Sequence, residues 1–168
     1  DIKNKQIRAI GDPKKRFSED ALRIMRAFRF SCQLGFEIEE NTLNAALSTS
    51  KTLTEISAER IAFEFKKSII SDFPQRISPL LLNGALASYN IPKIDIPDDI
   101  NALPKNFSIR FAWLCNKFDI DDKVCLELLK FDNKTKTESA IYRKLLSMPS
   151  CTSYDIKKML SISDVDFT

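Results

Sequence analysis

Histidine is absent from all 168 residues, and glycine occurs only three times, at Gly11, Gly35 and Gly84. Without an imidazole there is no His-based acid/base chemistry, no triad with a histidine member and no histidine-ligated metal hydrolase. So little glycine beside 43% hydrophobic residues points away from a turn-rich sheet protein and towards long helices, and the expected fold class is all-α. The four cysteines, Cys32, Cys115, Cys125 and Cys151, include no Cys-x-x-Cys pair and read as free cytosolic thiols rather than zinc ligands. No apolar run approaches the ~20 residues that span a bilayer, and residues 1–8 are charged rather than signal-like. The expected location is therefore cytoplasmic, with no membrane partner.

What the chain does have is positive charge gathered at one end. Residues 1–30 hold nine Lys/Arg against four Asp/Glu, whereas residues 31–100 hold six against ten. An anionic ligand is drawn most strongly to the N-terminal part. No internal repeat or low-complexity tract interrupts a succession of helices. Ser18 reads as an N-cap, with Glu19 and Asp20 in the positive first turn and Phe17 able to staple onto Leu22, so a helix is expected over 19–34 with Gly35 as its left-handed stop. Helical spacing predicts further helices over 42–47, from the Ser57 cap to 71, over 74–82, 85–89, 108–118, 122–129, 135–147 and 154–160. Pro92, Pro97 and Pro104 make 91–104 the expected linker between two helical units. The chain starts without methionine and stops in a cap-like pattern at Ser161 to Asp164, so both ends read as cuts in a longer protein.

The stretch richest in chemistry is Arg16-Phe17-Ser18-Glu19-Asp20-Ala21-Leu22-Arg23, continuing through Arg26 and Arg29. On an ideal helix Asp20 and Arg23 stand one turn and about 60° apart, which sets an acceptor beside a donor. Cytosine and adenine each offer an exocyclic amino donor beside a ring-nitrogen acceptor, so both match that pair. Guanine and uracil present a carbonyl oxygen beside a ring N–H, and would leave polar groups unpaired. Glu19, four residues before Arg23, is placed to orient its guanidinium. Arg16, Arg26 and Arg29 are candidate phosphate or RNA contacts. The same residues also describe an ordinary capped helix in a non-catalytic helical interaction module.

Residues 7–38 resemble the end of the head and the start of the neck in the class II tRNA nucleotidyltransferase and bacterial poly(A) polymerase family. The resemblance is carried by Glu19-Asp20-x-x-Arg23, the arginine-rich helix after it, and Leu34-Gly35-Phe36-Glu37-Ile38. A second motif, Ile56-Ser57-Ala58-Glu59-Arg60-Ile61, follows in the family's order. The resemblance implies a helical neck followed by a small helical body bundle: residues 1–16 as the end of the head and its connector, 17–90 as neck, 91–104 as linker and 105–168 as partial body. It implies that Asp20 and Arg23 hydrogen-bond the base of incoming CTP or ATP, that Glu19 braces Arg23, and that Ser57, Glu59 and Arg60 support the recognition helix from behind. Arg8 falls in the implied head-to-neck connection.

The same resemblance implies an enzyme that adds CCA to tRNA 3′ ends without a nucleic-acid template, using Mg²⁺ and meeting the tRNA acceptor end. Lys130, Lys134, Lys136, Arg143 and Lys144 of the body are candidates for that contact or for a solvated face. A poly(A)-, A- or CC-adding relative is the alternative within the family. The family's Gly-Gly motif, its metal-binding Asp-x-Asp in the head and its Arg-Arg-Asp motif are missing. Asp119-Ile120-Asp121 has the Asp-x-Asp spacing, but it falls where a helix cap is expected and carries no catalytic role. The chain alone is expected to be inactive and to hold no metal. Its oligomeric state is not legible.

Overall fold

Residues 3–147 are described by a computed structural model, and they form eight α-helices joined by short turns. These are α1 (Pro13–Glu19), α2 (Leu22–Leu34), α3 (Glu40–Thr49), α4 (Ala58–Ile69), α5 (Ser78–Leu82), α6 (Phe107–Lys117), α7 (Asp122–Leu128) and α8 (Asn133–Leu146). Strands β1 (Gln6–Ile7) and β2 (Glu37–Ile38) pair in parallel, with Gln6 opposite Glu37. This small clasp ties the N-terminal segment to the end of α2. The all-α expectation holds. The helix expected over 154–160 lies outside the described residues.

Most helices begin on a side-chain acceptor, which satisfies amide groups that have no partner within the helix. Asp12 accepts from Lys14 N at 2.9 Å, with Pro13 at the first turn of α1. Glu39 accepts from both the amide and the hydroxyl of Thr42, at 2.9 and 2.8 Å, and so starts α3 two residues before the expected boundary. Asn106, Asp121 and Asp132 do the same for α6, α7 and α8. Gly35 closes α2 with φ of +68°, and a Cβ there would lie 2.8 Å from the Phe73 ring. The close ring and the positive φ both require glycine.

The expected helix over 74–82 is instead a 3₁₀ turn (Pro74–Ile77) followed by α5. Pro79 has no N–H for the carbonyl four residues back and its ring crowds that oxygen, so a continuous α-helix cannot cross it. The expected helix over 85–89 shrinks to one 3₁₀ turn at Ala87–Tyr89, after Gly84 turns the chain with φ of +81°.

The core is one continuous cluster from Phe17 to Phe131. α2 packs on α4, α1 on α3, and α6 on α8. The stretch expected as a linker is drawn into this core, because Ile91, Ile94, Ile96 and Ile100 are all buried. Where α4 meets α6, Phe65 stands edge-on to Phe107 and Phe111, with ring centroids 6.2 Å away in each case. Phe131 stacks on Phe107 at 4.8 Å. Arg110 of α6, 1% exposed, donates to the carbonyl oxygens of Ile69 and Ser71 at 2.8 Å and of Leu103 at 3.2 Å. A buried cation thus caps the negative end of α4.

Candidate base-reading site

The expected single helix over 19–34 is two helices with a break between them. Asp20 has extended backbone, with φ −154° and ψ 101°, and ends α1. Its side-chain Oδ1 accepts from Leu22 N at 3.1 Å and its carbonyl from Arg23 N at 3.1 Å, so it also starts α2. Ser18 is not the cap: it lies inside α1, and its hydroxyl donates to Lys14 O at 2.9 Å. The two caps are Asp12 and Asp20. Carboxylates favour the positive ends of two helices in succession, and that competition overrides the Ser18 signal.

The break changes the geometry on which a 60° separation of Asp20 and Arg23 rests, because Asp20 is not on the ideal helix. The two side chains are instead held by different neighbours. Glu19 Oε2 accepts from Arg23 Nη1 at 2.8 Å and from Arg16 Nη1 at 2.9 Å, and Arg16 O accepts from the same Arg23 Nη1 at 2.8 Å. Hydrogen bonding to Arg23 is the main cause that holds the Glu19 carboxyl below the usual glutamate range. Every hydrogen bond made to the Arg23 guanidinium by a described residue falls on Nη1, leaving Nη2 and Nε for a ligand. Asp20 uses Oδ1 as a cap, and its Oδ2 lies 3.9 Å from Arg60 Nη2. Both side chains are 34% exposed, so each remains within reach of solvent and solutes.

The second motif meets this site from α4. Ser57 occupies the N-cap position, and its carbonyl accepts from Arg60 N and Ile61 N, but its hydroxyl makes no cap hydrogen bond. Glu59 accepts from Lys130 Nζ at 3.0 Å, which bridges the start of α4 to the turn after α7. Its carboxyl is held low, first by its own backbone N–H and then by Lys130. One turn of α4 therefore reaches the Asp20 carboxylate through Arg60 and the α7–α8 region through Glu59.

The candidate phosphate contacts separate. Arg26 is exposed at one end of a basic surface, and Arg16 is 45% exposed although tied to Glu19. A cleft of about 230 Å³ opens beside them, lined by Arg8, Arg16, Arg23 and Arg26 together with Phe17 and Phe30. Arg29 does not belong with these: it is 8% exposed, pairs with Glu64 of α4 and donates to Gln33 at 2.6 Å. Three-residue spacing groups it with Arg23 and Arg26, but the helix turns it under the seam with α4, where Glu64 compensates its buried charge. A buried glutamate on the neighbouring helix was the sequence signal, and it is visible only once the pairing of α2 with α4 is known.

In the body, Arg143 holds Asp122 at 2.7 Å and also donates to Ile120 O, which fixes the start of α7. Asp121 caps α7 through Val124 N at 3.1 Å. Asp119-Ile120-Asp121 thus forms a turn and a cap. Among the described residues no group of three or more His, Cys, Asp or Glu could hold a metal ion, and no helix is long and apolar enough to cross a membrane.

Comparison with known proteins places these features in context. Residues 35–96 match the family model described as the probable RNA- and SrmB-binding site of polymerase A. A CCA-adding enzyme of Leuconostoc mesenteroides subsp. mesenteroides is 34% identical over 175 residues, which cover 98% of this chain and 43% of that protein. One from Geobacillus sp. is 34% identical over 167 residues, or 94% of this chain and 41% of the relative. The crystal structure of the Bacillus stearothermophilus CCA-adding enzyme in complex with CTP superposes with a TM-score of 0.72 at 26% identity, covering 94% of this chain and 43% of that one. The chain therefore spans less than half the length of the relatives it matches.

Proposed function

This chain belongs to the family of the CCA-adding enzymes, and from that membership we propose that it is the neck and partial body of a protein that adds CCA to tRNA 3′ ends without a nucleic-acid template. In this reading residues 1–16 end the head and its connector, 17–90 are neck and 105–168 are body. The parent works in the cytoplasm on CTP, ATP and the tRNA acceptor end. Asp20 and Arg23 take the place of a template base. The Oδ2 of Asp20 accepts from the exocyclic amino group of cytosine or adenine, and the free edge of the Arg23 guanidinium donates to the adjacent ring nitrogen. UTP and GTP meet a carboxylate with a carbonyl oxygen and a guanidinium with a ring N–H, so desolvated groups go unpaired.

The observation that carries the reading is the way the Arg23 fork is held. Glu19 and the Arg16 carbonyl engage one nitrogen, which fixes the plane of the guanidinium and leaves its other edge unbonded. A hydrogen-bonding site that discriminates bases must be oriented before its ligand arrives. Glu19 and Arg60 are positioning residues here, and the Ser57 to Arg60 turn supports the junction from α4.

The family uses Mg²⁺ for nucleotidyl transfer. The described carboxylates do not fit that ion, because Asp121 is committed as a cap and Asp122 to Arg143. The metal belongs to the parent's head, and residues 1–168 alone do not catalyse.

Replacement tests the pair in the full-length parent. Asp20→Ala and Arg23→Ala each lower kcat/KM for CTP and ATP by about tenfold to a hundredfold, the range for a hydrogen bond to a charged group, and narrow the margin over UTP and GTP. Unchanged base selectivity in both variants, with folding intact, contradicts the proposal.

A further inference from the structure

Beside the base-reading pair, α2 and α4 carry a surface of which the proposed reading uses only Arg23 and Arg60. In α2, Arg23, Arg26 and Phe30 follow one another at helical spacing; in α4, Arg60, Phe63 and Lys67 do the same. Phe30 is 38% and Phe63 56% exposed, so part of each ring is open to solvent.

The two helices run parallel. Asp20 meets Arg60 at their N-terminal ends, and Arg29 meets Glu64 further along both. The Arg29–Glu64 pair closes the seam between them. At about 100° per residue, Arg26, Phe30 and Arg23 turn away from Arg29 in one sense, and Arg60, Lys67 and Phe63 turn away from Glu64 in the other. On parallel helices that face each other, opposite senses lead to the same side, so the six side chains share one face.

Both rings on that face are backed by cations. The Arg29 guanidinium lies 4.0 Å from the Phe30 centroid, and Lys67 Nζ lies 4.1 Å from that of Phe63. The acids nearby are already compensated, Glu64 by Arg29 and Glu59 by Lys130. Exposed rings beside Arg26 and Lys67, which no described acid pairs, suit a ligand with flat faces and a charged backbone. An apolar protein partner would have to bury Arg26 and Lys67 without counter-charge, at high cost. Paired RNA keeps its bases stacked internally and offers no face to a ring.

We propose that the α2–α4 face is a stacking track for single-stranded RNA, with Phe30 and Phe63 each carrying one base and Arg26, Arg60 and Lys67 meeting the phosphates. The identification of that RNA as the growing 3′ end of tRNA rests on the function proposed above; the track itself rests on the face. Because the track adjoins Asp20 and Arg23, it would hold the most recently added nucleotides close to where the next base is read.

The test uses the full-length parent, with a fluorescent single-stranded oligonucleotide ending in CC and a duplex of equal length as probes in titrations at several salt concentrations. Phe30→Leu and Phe63→Leu each weaken single-strand binding about tenfold and leave duplex binding unchanged, while the tyrosine variants retain the wild-type affinity. Arg26→Gln and Lys67→Gln each lower the slope of log affinity against log salt by about one. Leucine variants that bind the single strand as wild type does, or that lose duplex binding equally, overturn the inference. The CTP-to-UTP ratio separates the two readings. It persists in the leucine variants at saturating RNA, whereas failure of the base-reading function shows as an unchanged ratio in Asp20→Ala.

Discussion

At the scale of single residues, the site is organised by Glu19, which lies between two guanidinium groups at hydrogen-bond distance. The Arg23 bond lowers its pKa, so the folded carboxyl ionises at a lower pH than an unfolded glutamate would. Its contribution is therefore fully present above the unfolded glutamate pKa and is lost as pH falls through the lower folded value. In a carboxyl-detected NMR titration of this chain, Glu19 titrates below free glutamate, and Arg23→Gln moves it back up. An unmoved Glu19 in that variant contradicts the bracing role. Arg60 serves Asp20 less tightly, at 3.9 Å with 54% side-chain exposure, and its contact is screened accordingly.

At the scale of elements, α2 and α4 are a pair tied by a buried ion pair, and α6 is tied to α4 by Arg110. Removing one member of a buried pair strands the other charge. Glu64→Ala lowers unfolding stability by about 3 kcal/mol, and Arg110→Met, which leaves three carbonyl oxygens without their donor, by a similar amount. Urea unfolding of residues 1–168 measures both, and losses below about 1 kcal/mol mean that these contacts are not what holds the helices together.

The elements also show what was legible beforehand. Apolar spacing places α4, α6, α7 and α8 within a few residues, and Gly35 marks the end of α2, because burial periodicity and a left-handed stop are properties of the local sequence. The α1–α2 break was hidden. Ser18 and Asp20 are both good caps, and Asp20 prevails because Asp12 already starts α1 upstream and leaves Ser18 inside it. Pro79 is a local signal for the interruption of the helical spacing over 74–82. The burial of Arg29 and Arg110 follows from helix pairing, which periodicity alone does not supply.

At the scale of the whole molecule, a single core among the described residues runs from the α1–α2 junction into the α6–α8 bundle, through the four isoleucines of 91–104 and the Phe65, Phe107, Phe111 and Phe131 cluster. Glu59 and Lys130 join the same two regions at the surface. The junction proposed to read the base therefore stands on a packed scaffold rather than on a hinged linker, as a site that must hold hydrogen-bond geometry requires. The central claim is that the free edge of Arg23 donates to the ring nitrogen of the incoming base. The direct measurement is a cycle in the full-length parent that pairs Arg23→Ala with 3-deaza-CTP, an analogue in which carbon replaces that nitrogen. Wild type loses about tenfold to a hundredfold in kcat/KM on the analogue, and Arg23→Ala shows no further loss. Equal and independent losses from the variant and the analogue would contradict the claim, since the two changes would then act on different interactions.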